Sequence, residues 1–285
     1  MFLDNYLKLV KFSHTLFAMP FAVAAFFLAW QHTGESLPWV TLLWVVLAVV
    51  FARNAAMGFN RYADRKYDSE NPRTQNREIP KGVISPMAAL LFVVLNALLF
   101  MGVAWMINLL CFALSPVALL VILGYSLTKR FTALCHLVLG TGLALAPLGA
   151  WLALTAQFHT LPVLIAIAVL LWVAGFDIIY SLQDEGFDKE AQLYSIPRAI
   201  GRKKALMLSA LLHTGAFSAL VAASLIAQFQ LIALSGTAIF GILLLYQHLI
   251  VSPNNLSRIN IAFFTTNGIA SIVWATLVIV EVLWR

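Results

Sequence analysis

Three stretches without a single Asp, Glu, Lys or Arg, Gly82 to Thr128, Phe131 to Phe176 and Ala205 to Ser257, decide what this chain can fold into. Crossing the hydrocarbon layer takes about 20 apolar residues, so each stretch is long enough for two crossings. A core shielded from water needs no run of that length. Charged residues make up only 11% of the chain, against about a quarter in soluble domains, which excludes a water-soluble enzyme. The excess of 18 Lys and Arg over 12 Asp and Glu is explained by membrane orientation, and nucleic acid is not expected as a partner.

Counting charge-free segments gives nine helices. Phe12 to Gly34 forms the first, read as a retained helix because no small-residue cleavage pattern closes it. Ser36 to Ala52 forms the second and must continue past Arg53 toward Phe59. The three long stretches break near Asn108, near Phe158 to Pro162 and near Gln228 to Gln230, and Ile259 to Val280 is the ninth. The expected fold is therefore all-α and polytopic, with residues 1–285 as one transmembrane domain. Alternating the spans puts the N-terminus, residues 60–81, Lys129 and Arg130, residues 184–204 and Arg258 on one side, and only Arg285 on the other. That bias makes the charged side cytoplasmic, as in a protein of the inner membrane.

Two connections on the charged side hold most of the acidic groups. Asn60, Asp64 and Asp68 follow one another at four-residue steps and form a drifting stripe of roughly 12 Å on a helix. Asp177, Asp184 and Asp188 form the second set, with Asp177 inside an apolar helix, where an ionisable group is by default functional. Clustered carboxylates repel one another unless a cation lies between them. Mg2+ suits oxygen ligands that share a cation with phosphates, so a diphosphate substrate follows. Arg65, Lys66, Arg73, Arg77, Lys129 and Arg130 supply basic groups for its oxygens, and Arg61, Arg198 and Arg202 to Lys204 stand nearby.

These motifs resemble a known family. NRYADRKYD from Asn60 to Asp68, NPRTQNREIPKG after it, YSLTKR ending at Arg130, and DIIYSLQDEGFD from Asp177 to Asp188 look like the signatures of the UbiA superfamily of intramembrane prenyltransferases. The resemblance implies a nine-helix bundle that transfers a polyprenyl chain from its diphosphate to an aromatic acid, with Mg2+ assisting loss of diphosphate. It makes Asn60, Asp64, Asp68, Asp184 and Asp188 the metal ligands, the four aspartates being the catalytic set. Asp177 matches an acidic position before the second motif. One position departs: Arg61 follows the asparagine where many members carry an acid, so the usual fourth acidic group of the first motif is missing.

On this reading Arg53, two turns before Asn60, reaches beneath the metal site to hold the acceptor's carboxylate, with Asp177, Tyr125 and Tyr180 beside it. The run RNAAMGFNR and the NPRTQNREIP loop look closest to enzymes acting on 4-hydroxybenzoate and to the related 1,4-dihydroxy-6-naphthoate branch, precursors of ubiquinone and menaquinone. The competing class is a secondary transporter of an anionic solute, which would place its site near the midplane. His14, His32, His136, His159, His213 and His248 show no pair at four-residue spacing and are assigned structural or interfacial roles. Gly140 and Gly142 are expected as close-packing positions, and Cys111 and Cys135 as small buried side chains.

Overall fold

The computed structural model describes residues 2–10 and 17–285, so Lys11, Phe12 and His14 lie outside it. The described chain is helical: α1 (Phe2–Val10), α2 (Met19–Thr33), α3 (Trp39–Ala63), α4 (Arg65–Glu70), α5 (Pro86–Ile107), α6 (Leu109–Thr128), α7 (Cys135–Thr155), α8 (Thr160–Ser181), α9 (Glu185–Glu190), α10 (Ile196–Ile226), α11 (Leu231–Ile250) and α12 (Asn267–Trp284). Among the described residues, eight helices are long and apolar enough to cross a membrane, and the protein is a multi-pass membrane protein. The first expected span appears as α2, with 15 described residues.

The breaks fall where side chains can satisfy the exposed ends of helices. Asn108 is extended at φ −167°, and its Oδ1 accepts from Cys111 N at 2.8 Å, capping α6 while its Nδ2 donates to Leu152 O at 2.9 Å. Ser85 caps α5 ahead of Pro86, and Ser195 caps α10 ahead of Pro197. The third break is closed from a distance. Both carboxylate oxygens of Glu281 in α12 accept from Gln230 N and Ala233 N at 2.7 and 2.8 Å, so the start of α11 is capped by another helix.

α2 occupies the centre. Phe21, Ala22, Ala24, Ala25, Phe26 and Ala29 are all fully buried, and the helix packs on α3, α7, α8 and α12. Small residues let its neighbours approach, while Phe21 stacks on Trp274 at 4.8 Å and meets Trp172 and Phe240. Inside this apolar region one polar group is fully used: Asn267 Oδ1 accepts from Trp172 Nε1 and Gln247 Nε2, tying α8, α11 and α12 together. The outward faces of α5, α6 and α11 remain apolar and exposed, as a lipid-facing surface requires.

The antiparallel pair α7 and α8 sets the position of the site. A Cβ on Gly140 would lie 2.3 Å from Leu170 O, so only glycine permits this backbone approach. Gly142 is less constrained, with Ile122 Cγ2 at 3.6 Å from the corresponding position. Cys111 and Cys135 are half-buried rather than buried: Cys111 borders a cavity and Cys135 opens α7 at a helix end.

Candidate active site

The helical turn from Asn60 carries almost unbroken through Asp64 to Asp68, because Asp64 N donates to Asn60 O and Asp68 N to Asp64 O. The three side chains thus stay on one stripe. Asn60 Nδ2 donates to Asp64 Oδ2 at 3.2 Å, Lys129 Nζ meets the same oxygen at 2.7 Å, and Arg77 Nη1 donates to both oxygens of Asp68 at 2.7 and 2.8 Å. Arg130 anchors the end of α3 by donating to Ala63 O at 2.8 Å and stands 3.8 Å from Asp64 Oδ1.

The second motif joins the first through the loop after α4. Arg73 donates from Nε and Nη2 to the two oxygens of Asp184 at 2.9 and 2.5 Å, Asn71 Nδ2 donates to the same carboxylate at 3.3 Å, and Arg73 Nη1 donates to the Tyr180 hydroxyl at 3.1 Å. Residues more than 100 positions apart are thereby locked at one end of the bundle. Asp188 is buried and lies in electrostatic reach of Asp184 and Lys129. Burial works against the Arg73 guanidinium, but its hydrogen bond and attraction to Asp184 outweigh this and hold it above its ordinary value. Burial pushes the Asp64 carboxyl above the usual carboxylate range, with Lys129 opposing.

Among the described residues no three Asp, Glu, His or Cys side chains are grouped to hold a metal; the aspartates are paired with Arg73, Arg77 and Lys129 instead. Cations expected at the diphosphate here offset the carboxylates. The donor set nevertheless fits Mg2+. It is all oxygen, and Asp64 Oδ1 is buried without a hydrogen-bond partner among the described residues.

Beneath this layer lies a cavity of about 490 Å³, walled largely by apolar side chains including Val49, Leu114, Val121 and Leu143. Its polar groups include Arg53, Asn60, Arg61, Arg77, Ser115, Tyr125, Asp177 and Tyr180. Arg53 Nη1 also donates to Val10 O at 3.0 Å, tethering α1. Arg61 is 4% exposed, and its Nε has no hydrogen-bond partner among the described residues.

Arg65 and Lys66 are placed elsewhere than expected. They line a surface hollow with Tyr67, Glu70 and Arg130, and Arg65 donates to Tyr62 O and covers the Tyr62 ring at 4.5 Å. At 100° per residue, positions 65 and 66 turn away from the face that 60, 64 and 68 share. Two contributors were missed from sequence. Asn71 stands in the loop that was singled out but received no role. His136, assigned a structural place, sits with Nδ1 2.7 Å from Asp177 Oδ2.

The UbiA prenyltransferase family pattern matches residues 18–269. The chain belongs to the UbiA prenyltransferase family. It is 31% identical over 251 residues to the 4-hydroxybenzoate octaprenyltransferase of Aliivibrio fischeri strain ES114, and 28% identical over 247 residues to that of Tolumonas auensis, with 86% of each chain covered in both cases. Among solved structures it resembles the apo structure of a UbiA homolog from Aeropyrum pernix K1, with TM-score 0.85 and 30% identity over 94% of this chain and 98% of that one. A UbiA homolog from Archaeoglobus fulgidus bound to GPP and Mg2+ shares the fold, with TM-score 0.74 and 20% identity over 98% and 99% of the two chains. The enzyme is thus a UbiA-family prenyltransferase with that family's all-α bundle.

Proposed function

We propose that this prenyltransferase moves a polyprenyl chain from polyprenyl diphosphate to an aromatic acid, 4-hydroxybenzoate or 1,4-dihydroxy-6-naphthoate, in ubiquinone or menaquinone biosynthesis. The observation that carries this reading is the Arg73 and Asn71 bridge to Asp184, which unites both aspartate motifs directly over an apolar cavity containing Arg53. The whole chain acts as one transmembrane domain, its N-terminus and active end facing the cytoplasm.

Asn60, Asp64, Asp68, Asp184 and Asp188 would hold Mg2+, which supplies positive charge to the departing diphosphate. Arg73, Arg77, Lys129 and Arg130, which stand beside those carboxylates, would offer their donors to the diphosphate oxygens, where fixed cations favour ionisation of the allylic C–O bond. The apolar wall below excludes water from the electron-poor allylic carbon. Tyr125 and Tyr180 line the same cavity, and Arg53 would hold the acceptor carboxylate so that the ring presents its nucleophilic carbon. A transporter of an anionic solute fits less well, since the acidic groups gather at one end of the bundle.

The test is product mass from detergent-purified protein given each aromatic acid with each of several prenyl diphosphates, with and without Mg2+. Prenylated acid should form only with Mg2+, and Asp64→Ala and Asp184→Ala should abolish it while still inserting in the membrane. No prenylated product from any pair, or full activity of either variant, would remove the proposal.

A further inference from the structure

His136 is the second residue of α7 and only 2% exposed. The close approach of Gly140 to Leu170 draws α7 against α8, and one turn back along α7 the antiparallel register brings His136 to Asp177, two turns further along α8. The other ring nitrogen, Nε2, lies 3.3 Å from Ile196 N at the start of α10. A backbone N–H in the first turn of a helix has no partner within that helix and can only donate. Nε2 must therefore carry a lone pair, which places the ring proton on Nδ1 and makes it the donor to Asp177 Oδ2. Both nitrogens are therefore used. Asp177 has no other hydrogen bond among the described residues, and it lines the cavity with Arg53, Tyr125 and Tyr180.

Resting on the aromatic-acid reading above, we propose that His136 is a positioning residue that holds one oxygen of Asp177 so that the other receives the acceptor's hydroxyl proton. As the ring carbon forms its bond to the allylic carbon, the allylic C–O bond breaks and its electron pair leaves with diphosphate. The hydroxyl proton passes to Asp177, leaving a neutral ring ketone. The ring carbon that was attacked then loses its own proton to the departed diphosphate, and Asp177 returns the first proton to oxygen. One proton is released for each chain transferred, and the aromatic ring is restored. Without the His136 donor the carboxylate is free to rotate away from the acceptor, and this proton transfer is the step that slows.

The experiment compares wild type, His136→Gln and His136→Leu as full-length, detergent-purified enzymes with geranyl diphosphate and Mg2+. Each is given the hydroxylated aromatic acid that wild type prefers and a ring-fluorinated counterpart whose more acidic hydroxyl needs less help. His136→Leu should lower kcat roughly 10- to 100-fold on the parent acid with the geranyl diphosphate KM within about twofold, and most of that loss should vanish on the fluorinated acid. His136→Gln, whose amide N–H can still donate to Asp177, should keep most of the activity. An equal loss on both acids, a rise confined to the geranyl diphosphate KM, or a Gln variant as impaired as Leu would overturn the assignment. If His136→Leu does not fold, His136→Asn, with an amide too short to span the gap, must show the same acceptor-dependent loss or the assignment fails. A wild type that prenylates no hydroxylated aromatic acid removes the function proposed above and this role with it, whereas variants indifferent to acceptor acidity remove only this role.

Discussion

Arg73 holds an observed ion pair and, as proposed above, a place in diphosphate binding, and measurement separates the two. Its ion pair with Asp184 is partly open to solvent, with side chains 30% and 18% exposed, and pairs of that kind contribute no more than about 1 kcal/mol to stability. Its proposed second task is to turn those donors, held here by Asp184 and the Tyr180 hydroxyl, to the leaving diphosphate. Arg73→Leu should therefore leave the melting temperature in detergent nearly unchanged while lowering kcat about 100-fold, the usual consequence of losing one preorganised donor. Arg65→Leu is the comparison. Because Arg65 covers Tyr62 outside the cavity, its loss should leave prenyl transfer within about twofold, in the range of ordinary surface changes. Arg53→Ala should raise the acceptor KM more than the prenyl diphosphate KM, since Arg53 lines the cavity well below the aspartates; equal rises would count against an acceptor role. At this scale the sequence was legible wherever function followed local periodicity. Asn60, Asp64 and Asp68 announce themselves by four-residue steps on one helix. His136 and Asp177 meet across two helices, 41 positions apart, and no local pattern marks either as the other's partner.

At the scale of elements, helix ends were readable because capping is local. Asn108 marks its own break by accepting from Cys111 N. The kink at Gly201, with φ 77°, and the π-helical turn Ile261–Thr266 before α12 were not readable, since both depend on what the neighbouring helices require. The expected close-packing role of Gly140 lends itself to direct test. Gly140→Ala places a methyl group 2.3 Å from Leu170 O, and because the obstacle is backbone, α7 and α8 must separate. The expected cost is about 1–3 kcal/mol, seen as a lower melting temperature in detergent, together with reduced turnover as His136 withdraws from Asp177. Gly102→Ala in α5 meets nothing within 4 Å and should be neutral or slightly stabilising. If both substitutions behave alike, the glycine approach does not set the helix separation.

For the whole molecule the decisive quantity is the distribution of charge between the two membrane faces. Lys129, Arg130, Arg73, Arg77 and Arg202 all lie at one end of the bundle with the aspartates, whereas Arg285 pairs with Glu281 at the far end of α12. Such asymmetry is what supports the cytoplasmic placement of the basic end proposed above. The number of crossings then rests on α2. Its 15 described residues span about 22 Å, short of a hydrocarbon layer of about 30 Å, yet it is buried at the bundle's centre between α7 and α12 rather than laid along its surface. We propose that this central helix is also a crossing, which would add one to the eight that length and apolarity identify among the described residues. Nine crossings would place the two termini on opposite sides. A cysteine appended after Arg285, in a chain with Cys111 and Cys135 changed to Ser, should react in intact cells with a membrane-impermeant maleimide, and a cysteine placed before Met1 should react only after the cells are opened. Labelling of both termini in intact cells, or of neither, would mean an even number of crossings; the reverse pattern would turn the aspartate motifs outward, away from cytoplasmic prenyl diphosphate.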